Sequence, residues 1–194
     1  MKKTVWLAGF LVVSMVMVAG CAGKVGGSPD FSANLVSRVG GRTQNGSGKI
    51  YFSKDKWRMD ITAYGQKSIS IVRADKNVMW LLMPKEKMYM ERKLEPDQLV
   101  GMSKKLPGEV ERKKVGSEKV SGLACDKYKI TYKLTGGKAT DVVYQWISKD
   151  GIPVKSAAPD GSWYTMYRNI KVGKQPASLF ELPAGYTKFE MPSY

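Results

Sequence analysis

Lys127-Tyr128-Lys129-Ile130-Thr131-Tyr132-Lys133-Leu134 alternates a polar residue with a ring or an aliphatic one along its whole length. Successive side chains of a strand point to opposite sides, so this period of two describes a half-buried β-strand. The same period recurs in both directions from it. Val142, Tyr144 and Trp146 share one face of a run, and Tyr164, Met166 and Ile170 share one face of another. Toward the N-terminus, Trp57, Met59, Ile61 and Ala63 alternate with Arg58, Asp60 and Thr62, and Ile69 and Ile71 alternate with Ser68 and Ser70. Phe31, Ala33, Leu35 and Val39 form the first run, and the hairpin signal Gln44-Asn45-Gly46 precedes Lys49-Ile50-Tyr51-Phe52. Turn clusters separate the runs: Ser53 to Lys56, Ala74 to Asn77, Pro84 to Lys87, Gly136-Gly137, Lys149 to Gly151 and Pro159 to Gly161. Connections this short make neighbours antiparallel. The expected fold is mainly β, a curved antiparallel meander of about ten or eleven strands that curls into a half-barrel.

Two short segments break the pattern. Glu95 to Leu106 places Leu99, Met102 and Leu106 at helical spacing with Pro107 as a stop, which predicts a short helix. A further turn of helix is expected over Gln175 to Phe180. Val78-Met79-Trp80-Leu81-Leu82-Met83 is apolar on both faces, as in a strand covered on both sides. Met79, Met83, Met88 and Met90 cluster around it, and methionine adapts its shape to irregular apolar partners. That cluster is open to two readings, packed core or lipid-contacting wall.

Composition bounds the chemistry. The 194 residues are 43% apolar and 25% charged, which suits one globular domain with a sizeable core. There is no histidine, so the commonest general base and the commonest zinc ligand are missing together. Two cysteines make neither a disulfide framework nor a thiolate metal site. Lys+Arg 32 against Asp+Glu 17 gives a net charge of +15, which suits an anionic partner surface.

The N-terminus narrows the choice of surface. Lys2 and Lys3, the apolar run Val5 to Val18 and the small residues Ala19-Gly20 lead into Cys21. That order resembles a bacterial lipobox, in which the thiol is lipidated before cleavage. Residues 1–20 are thus read as a lipoprotein signal peptide, 21–29 as the lipidated Cys21 and a flexible tether, and 30–194 as the folded domain. Acyl chains on Cys21 make the membrane the first partner and disfavour nucleic acid. Ala22 after the cysteine resembles sorting to the outer membrane, facing the periplasm, in a Gram-negative cell.

No catalytic, metal or cofactor constellation accompanies this address, so neither an enzyme nor a cofactor is expected. Cys125 has no histidine to make it a thiolate and reads as a buried structural thiol. Ser53 and Lys56 match Ser-x-x-Lys but fall in an expected β-turn, where the helical geometry of a serine–lysine pair is missing. Lys104, Lys105, Arg112, Lys113 and Lys114 form the densest basic region. It reads either as an anionic-headgroup contact or as a solvated loop.

From Ser47 to Met191 the chain resembles LolA/LolB-type lipoprotein-carrier domains. The resemblance rests on Ser47 to Phe52 leading to Trp57-Arg58-Met59-Asp60, on Asp75 to Trp80 with Leu82, Pro84 and Tyr89, and on the closing Leu179 to Tyr186. It implies a half-barrel whose concave face holds acyl chains or a lipoprotein's lipid, here with a thinner lid because no amphipathic helix precedes the first strand. The expected wall is Trp57, Met59, Ile61, Ile69, Ile71, Trp80, Leu82, Met88 and Met90. Arg58 is open to two roles, the arginine that holds a carrier's lid shut or a partner of Asp60. The alternative function is the same fold with its cavity filled, acting as a non-catalytic envelope interaction module.

Overall fold

The computed structural model describes residues 29–39, 42–43, 47–63, 65–94, 109–133 and 140–190. Thirteen strands lie among them: β1 (Phe31–Val39), β2 (Arg42–Thr43), β3 (Ser47–Ser53), β4 (Lys56–Ala63), β5 (Gln66–Arg73), β6 (Val78–Met83) and β7 (Met88–Lys93), then β8 (Glu109–Val120), β9 (Leu123–Lys133), β10 (Thr140–Ser148), β11 (Pro153–Ala157), β12 (Trp163–Val172) and β13 (Thr187–Lys188). All join one sheet in the order β13-β7-β6-β5-β4-β3-β1-β12-β11-β10-β9-β8, with β2 paired to β1 off that path. The path ends at β8 on one side and β13 on the other, so the sheet is open.

The meander therefore comes as two blocks joined through β1. One runs from β3 outward to β7. The other re-enters at the opposite edge with β8 and returns through β12 to pair with the far side of β1. β13 adds a parallel edge to β7, the exception to the antiparallel rule. β2, β8, β11 and β13 fall outside the runs read from the sequence and bring the strands above the expected ten or eleven. The helix expected over Glu95 to Leu106 and the Gln44-Asn45-Gly46 turn lie outside the described residues. At the C-terminus the expected helical turn is a 3-10 turn, Ala177–Phe180; another, Ala74–Lys76, sits in the connection before β6.

Register divides the side chains into two faces. Met59 stands opposite Ile50 on β3 and Ser70 on β5, and Trp57 opposite Phe52 and Val72. Paired residues of an antiparallel ladder project to the same side. Phe31, Ala33 and Leu35 of β1 join this Met59 face through their pairing with Phe52, Ile50 and Gly48. The opposite face carries Ile69 and Ile71 of β5, paired with Leu82 and Trp80 of β6, and is called the Trp80 face. Gly48 allows a close approach: a Cβ there would lie 3.0 Å from the Cβ of Leu35, tighter than most side-chain contacts. Phe31 stacks on Phe52 with ring centroids 5.6 Å apart and seeds the main core, which includes Ala33, Ile50, Ile152 and Val154.

β12 carries a register shift against β1 between Ser32 and Asn34, near Asn169 at φ 52°. The alternation of Tyr164 and Met166 therefore does not carry through to Ile170, contrary to the single face expected for the three. A bulge inserts one residue, and every side chain beyond it changes side.

Candidate functional site

The nine residues expected to form one wall are split by the register. Trp57, Met59 and Ile61 lie on the Met59 face, and so do Met88 and Met90, which pair with Met83 and Leu81. Ile69, Ile71, Trp80 and Leu82 lie on the Trp80 face. The cause is the β4–β5 hairpin. It pairs Ala63 with Gln66, so odd-numbered residues of β4 face even-numbered ones of β5. The four on the Trp80 face are buried in a structural core under Phe180, with Leu179, Leu182 and Tyr186 packed around it.

Two arginines tie that C-terminal segment down. Arg58 donates to Asp60 from Nε (2.6 Å) and Nη2 (3.1 Å), and from Nη1 to the carbonyl oxygen of Leu179 (3.3 Å). It thus partners Asp60 and holds a covering segment at once. Arg73 is buried; it grips Asp75 from Nε (2.7 Å) and Nη2 (2.6 Å), and its Nη1 reaches the Phe180 carbonyl (3.2 Å) and the Glu181 carboxylate. The Arg73 hydrogen bond holds the Asp75 carboxyl below the usual range against the opposing effect of burial. Burial works against ionisation of Glu181, but hydrogen bonds from Lys76 and Arg73 outweigh it and hold that carboxyl low as well.

On the Met59 face, Trp57, Ile61, Met88 and Met90 are joined by Met79, Leu81 and Met83. All seven are half-buried. Sequence reasoning left Leu81 out of the wall, although the clustering of methionines between residues 79 and 90 already pointed there. Val72 links Trp57 to Met79, whereas Ser70 stands between Met59 and Leu81 and Ser68 opposite Ile61, so this is a partly accessible apolar patch interrupted by serines beside the buried core.

The expected basic contact is split as well. Strand alternation in β8 puts Arg112 and Lys114 on the Met59 face, opposite Ile130 and Tyr128, and Lys113 on the other, opposite Lys129. Arg112 is half-buried, paired with Glu109 (3.0 and 2.8 Å) and in contact with Gln145. Lys114 pairs with Asp126 at 2.8 Å. Lys104 and Lys105 lie outside the described residues, as does Cys21 with the tether up to residue 28. A basic surface does exist, on the Trp80 face of the second block. Lys127 lies over the rings of Tyr144 (4.5 Å) and Trp146 (4.8 Å), and Lys155 lies over Trp146 (4.5 Å) and Tyr164 (5.8 Å). Lys113 and Lys129 extend it toward the β8 edge.

Cys125 is buried, and burial pushes its thiol up, away from thiolate. Ser53 and Lys56 pair across the β3–β4 turn, and the Ser53 hydroxyl donates to Asp30 instead (2.9 Å). Among the described residues, no group of three or more Cys, Asp or Glu side chains could hold a metal ion. No helix among them is long and apolar enough to cross a membrane.

Comparison with known proteins agrees with this architecture. A structure of an uncharacterized conserved protein from Thermus thermophilus superposes with a TM-score of 0.55 at 12% identity, covering 84% of this chain and 90% of that one. The complex of Pseudomonas aeruginosa MucA/MucB matches at a TM-score of 0.53 and 15% identity, over 82% of this chain and 58% of that one. MucB alone gives a TM-score of 0.50 at 16% identity, over 83% and 59%. These likenesses establish the fold and agree with the resemblance to LolA/LolB-type domains. None of the curated protein sequences compared matches the chain. One family matches residues 40–150, more than half of the chain, and is described as "Domain of unknown function (DUF4412)".

Proposed function

The chain belongs to the DUF4412 family, and within it we propose a lipid-anchored, non-catalytic protein of the cell envelope that binds an acyl chain on its Met59 face. One observation carries this reading: Met79, Leu81, Met83, Met88 and Met90 form a half-buried apolar patch on β6 and β7, next to the β13 edge, linked to Trp57 through Val72. Flexible thioethers suit a ligand of irregular shape. Each methylene buried against them contributes about 0.8 kcal/mol. The lipobox ending in Cys21 supports an anchor in the membrane, the outer one in a Gram-negative cell, with the domain on the periplasmic side. The Lys113, Lys127, Lys129 and Lys155 surface would then face anionic headgroups, at about 1 kcal/mol for each lysine in contact.

A second reading, an interaction module with a filled interior, is favoured by Ile130 and Val143. Both are fully buried among Tyr128, Tyr132 and Trp163 on the Met59 face of the second block. Native mass spectrometry of the full chain purified from membranes separates the two. Denaturing spectra give the mass of covalent acylation, and native spectra add any bound lipid. The acyl-binding reading expects one stoichiometric non-covalent lipid, lost in Leu81→Glu with its urea midpoint largely retained. A native mass equal to the denatured mass, together with no uptake of dansyl-undecanoic acid, would select the interaction module.

A further inference from the structure

The Trp80 face of the second block has an opening with lysines on its rim. Lys113 of β8 stands directly opposite Lys129 of β9, and in the next row of that face Lys127 of β9 stands opposite Gly116. A bulge makes the second pairing. The register shifts between Lys114 and Gly116, whereas a regular ladder continued from Lys113 and Lys114 would set Val115 against Lys127. Valine is thus set aside as the unpaired residue, 46% exposed, and a residue without a side chain takes its place. A Cβ at Gly116 would meet no atom within 4 Å, so the space above it is open.

Lys127 leaves the opening clear. Its ammonium lies over Tyr144, 4.5 Å from the ring centre, and Tyr144 is paired with Lys129. Its charge therefore gathers with those of Lys113 and Lys129, although like charges set side by side destabilise a sheet. No carboxylate relieves them. Glu111 and Glu118 share this face, but Glu118 accepts the Trp146 indole N–H, and among the described residues no ion pair joins either to the three lysines. Asp126 projects to the other face, where it pairs with Lys114. Resting on the reading above that this surface meets anionic headgroups, we propose that the Gly116 opening binds the phosphate monoester of a membrane lipid. A monoester carries nearly two negative charges at neutral pH and three free oxygens, which suits three ammonium groups around one gap. A phosphodiester headgroup has one charge and two free oxygens and matches the gap less well. The Tyr144 and Trp146 rings beside it offer the glycerol ester an apolar contact that a free phosphate ion lacks.

The test is calorimetric titration of the full chain, held in a neutral detergent, with three ligands at one pH and one salt concentration: dihexanoyl phosphatidic acid, dihexanoyl phosphatidylglycerol and inorganic phosphate. The wild type should bind the phosphatidic acid at least about tenfold more tightly than the other two, the worth of one further charge-assisted hydrogen bond. Gly116→Glu sets a carboxylate against Lys127. It should bring the two lipids within about twofold and leave the melting temperature unchanged or raised, because the lysines gain a partner within the sheet. Gly116→Ala, whose methyl group meets nothing, should keep the wild-type preference. Equal affinity for the two lipids in the wild type overturns the monoester site and leaves a general headgroup contact standing. No binding of either lipid overturns both. Inorganic phosphate bound as tightly as phosphatidic acid overturns the lipid assignment, and a preference that survives Gly116→Glu overturns the placement at Gly116.

Discussion

The Trp80 face is shielded from water in two different ways in the two blocks of the sheet. Over β5 and β6 the shield is polypeptide: Phe180 sits on Ile69, Ile71, Trp80 and Leu82, and Arg58 and Arg73 hold the surrounding carbonyls. Over β9 to β12 it is side chain: the Lys127 and Lys155 ammonium groups lie over the rings of Tyr144, Trp146 and Tyr164. The first block also has lysines over rings, Lys49 over Tyr51 (5.1 Å) and Lys76 over Trp80 (6.0 Å), but its cover adds apolar atoms from the C-terminal segment. Aromatic rows attract ammonium groups to their faces. Burial under the segment is worth several kcal/mol at one residue, whereas the lysine layer divides a smaller sum among separable contacts.

The most demanding check is Phe180→Ala. Phe180 is 1% exposed and is the side chain that plugs the first block's cover. Its removal should cost about 3–5 kcal/mol, the range for a large buried ring, read as a shift in urea unfolding. A cost under about 1 kcal/mol, within the range of a surface change, would mean that the C-terminal segment merely lies on the sheet and would erase the contrast.

Arg73→Met tests the polar half of the same cover, with an expected loss of about 2 kcal/mol at neutral pH. That is less than for a fully buried pair, because Asp75 and Glu181 remain partly in water. The sign of the pH effect follows from both carboxyls being held low in the folded state. A depressed carboxyl contributes stability above the unfolded value, about 4, and that contribution fades as pH falls through the folded values. Acid should therefore loosen the C-terminal cover, and the variant should show a flatter stability profile below pH about 4. An unchanged acid slope in Arg73→Met would detach the two carboxyls from the clasp.

The same two blocks differ in how far their sequence could be read. Alternation in β4, β5, β9 and β10 announced strands because rings or aliphatic side chains recur at every second position of each run. The two-sided apolar run of β6 announced a cover on both faces, and the C-terminal turn supplies one of them. β8 announced nothing: Glu109–Val120 is an edge strand charged on both faces, and a pattern made by burial cannot appear where little is buried. Within a strand, period two says which residues share a side. It does not say which side that is relative to the next strand. That information resides in the hairpin register, which is why Trp57 turned out to face Val72 while Ile71 faces Arg58. The burial of Gln145 was hidden for a related reason. Between Tyr144 and Trp146 a polar residue reads as the solvent side, whereas both faces of β10 are largely covered.

The smallest effect belongs to the lysine layer, and it sharpens the comparison most. Lys127→Ala and Lys155→Ala should each cost about 0.5–1 kcal/mol, since each removes ring contacts at the protein surface and leaves the rings in place. Lys→Arg at either position should be nearly neutral, because a guanidinium stacks on the same ring. Exposing Tyr144 and Trp146 should also reduce solubility more than stability, seen as aggregation at protein concentrations the wild type tolerates. If Lys155→Ala instead cost as much as Phe180→Ala, the Trp146 ring would have to be part of a cooperative core that the lysine seals. Trp146 itself is buried and donates its indole N–H to Glu118, so the double variant Lys127→Ala/Lys155→Ala separates the cases. Losses that add place the layer outside the core, and losses beyond the sum place the ring within it.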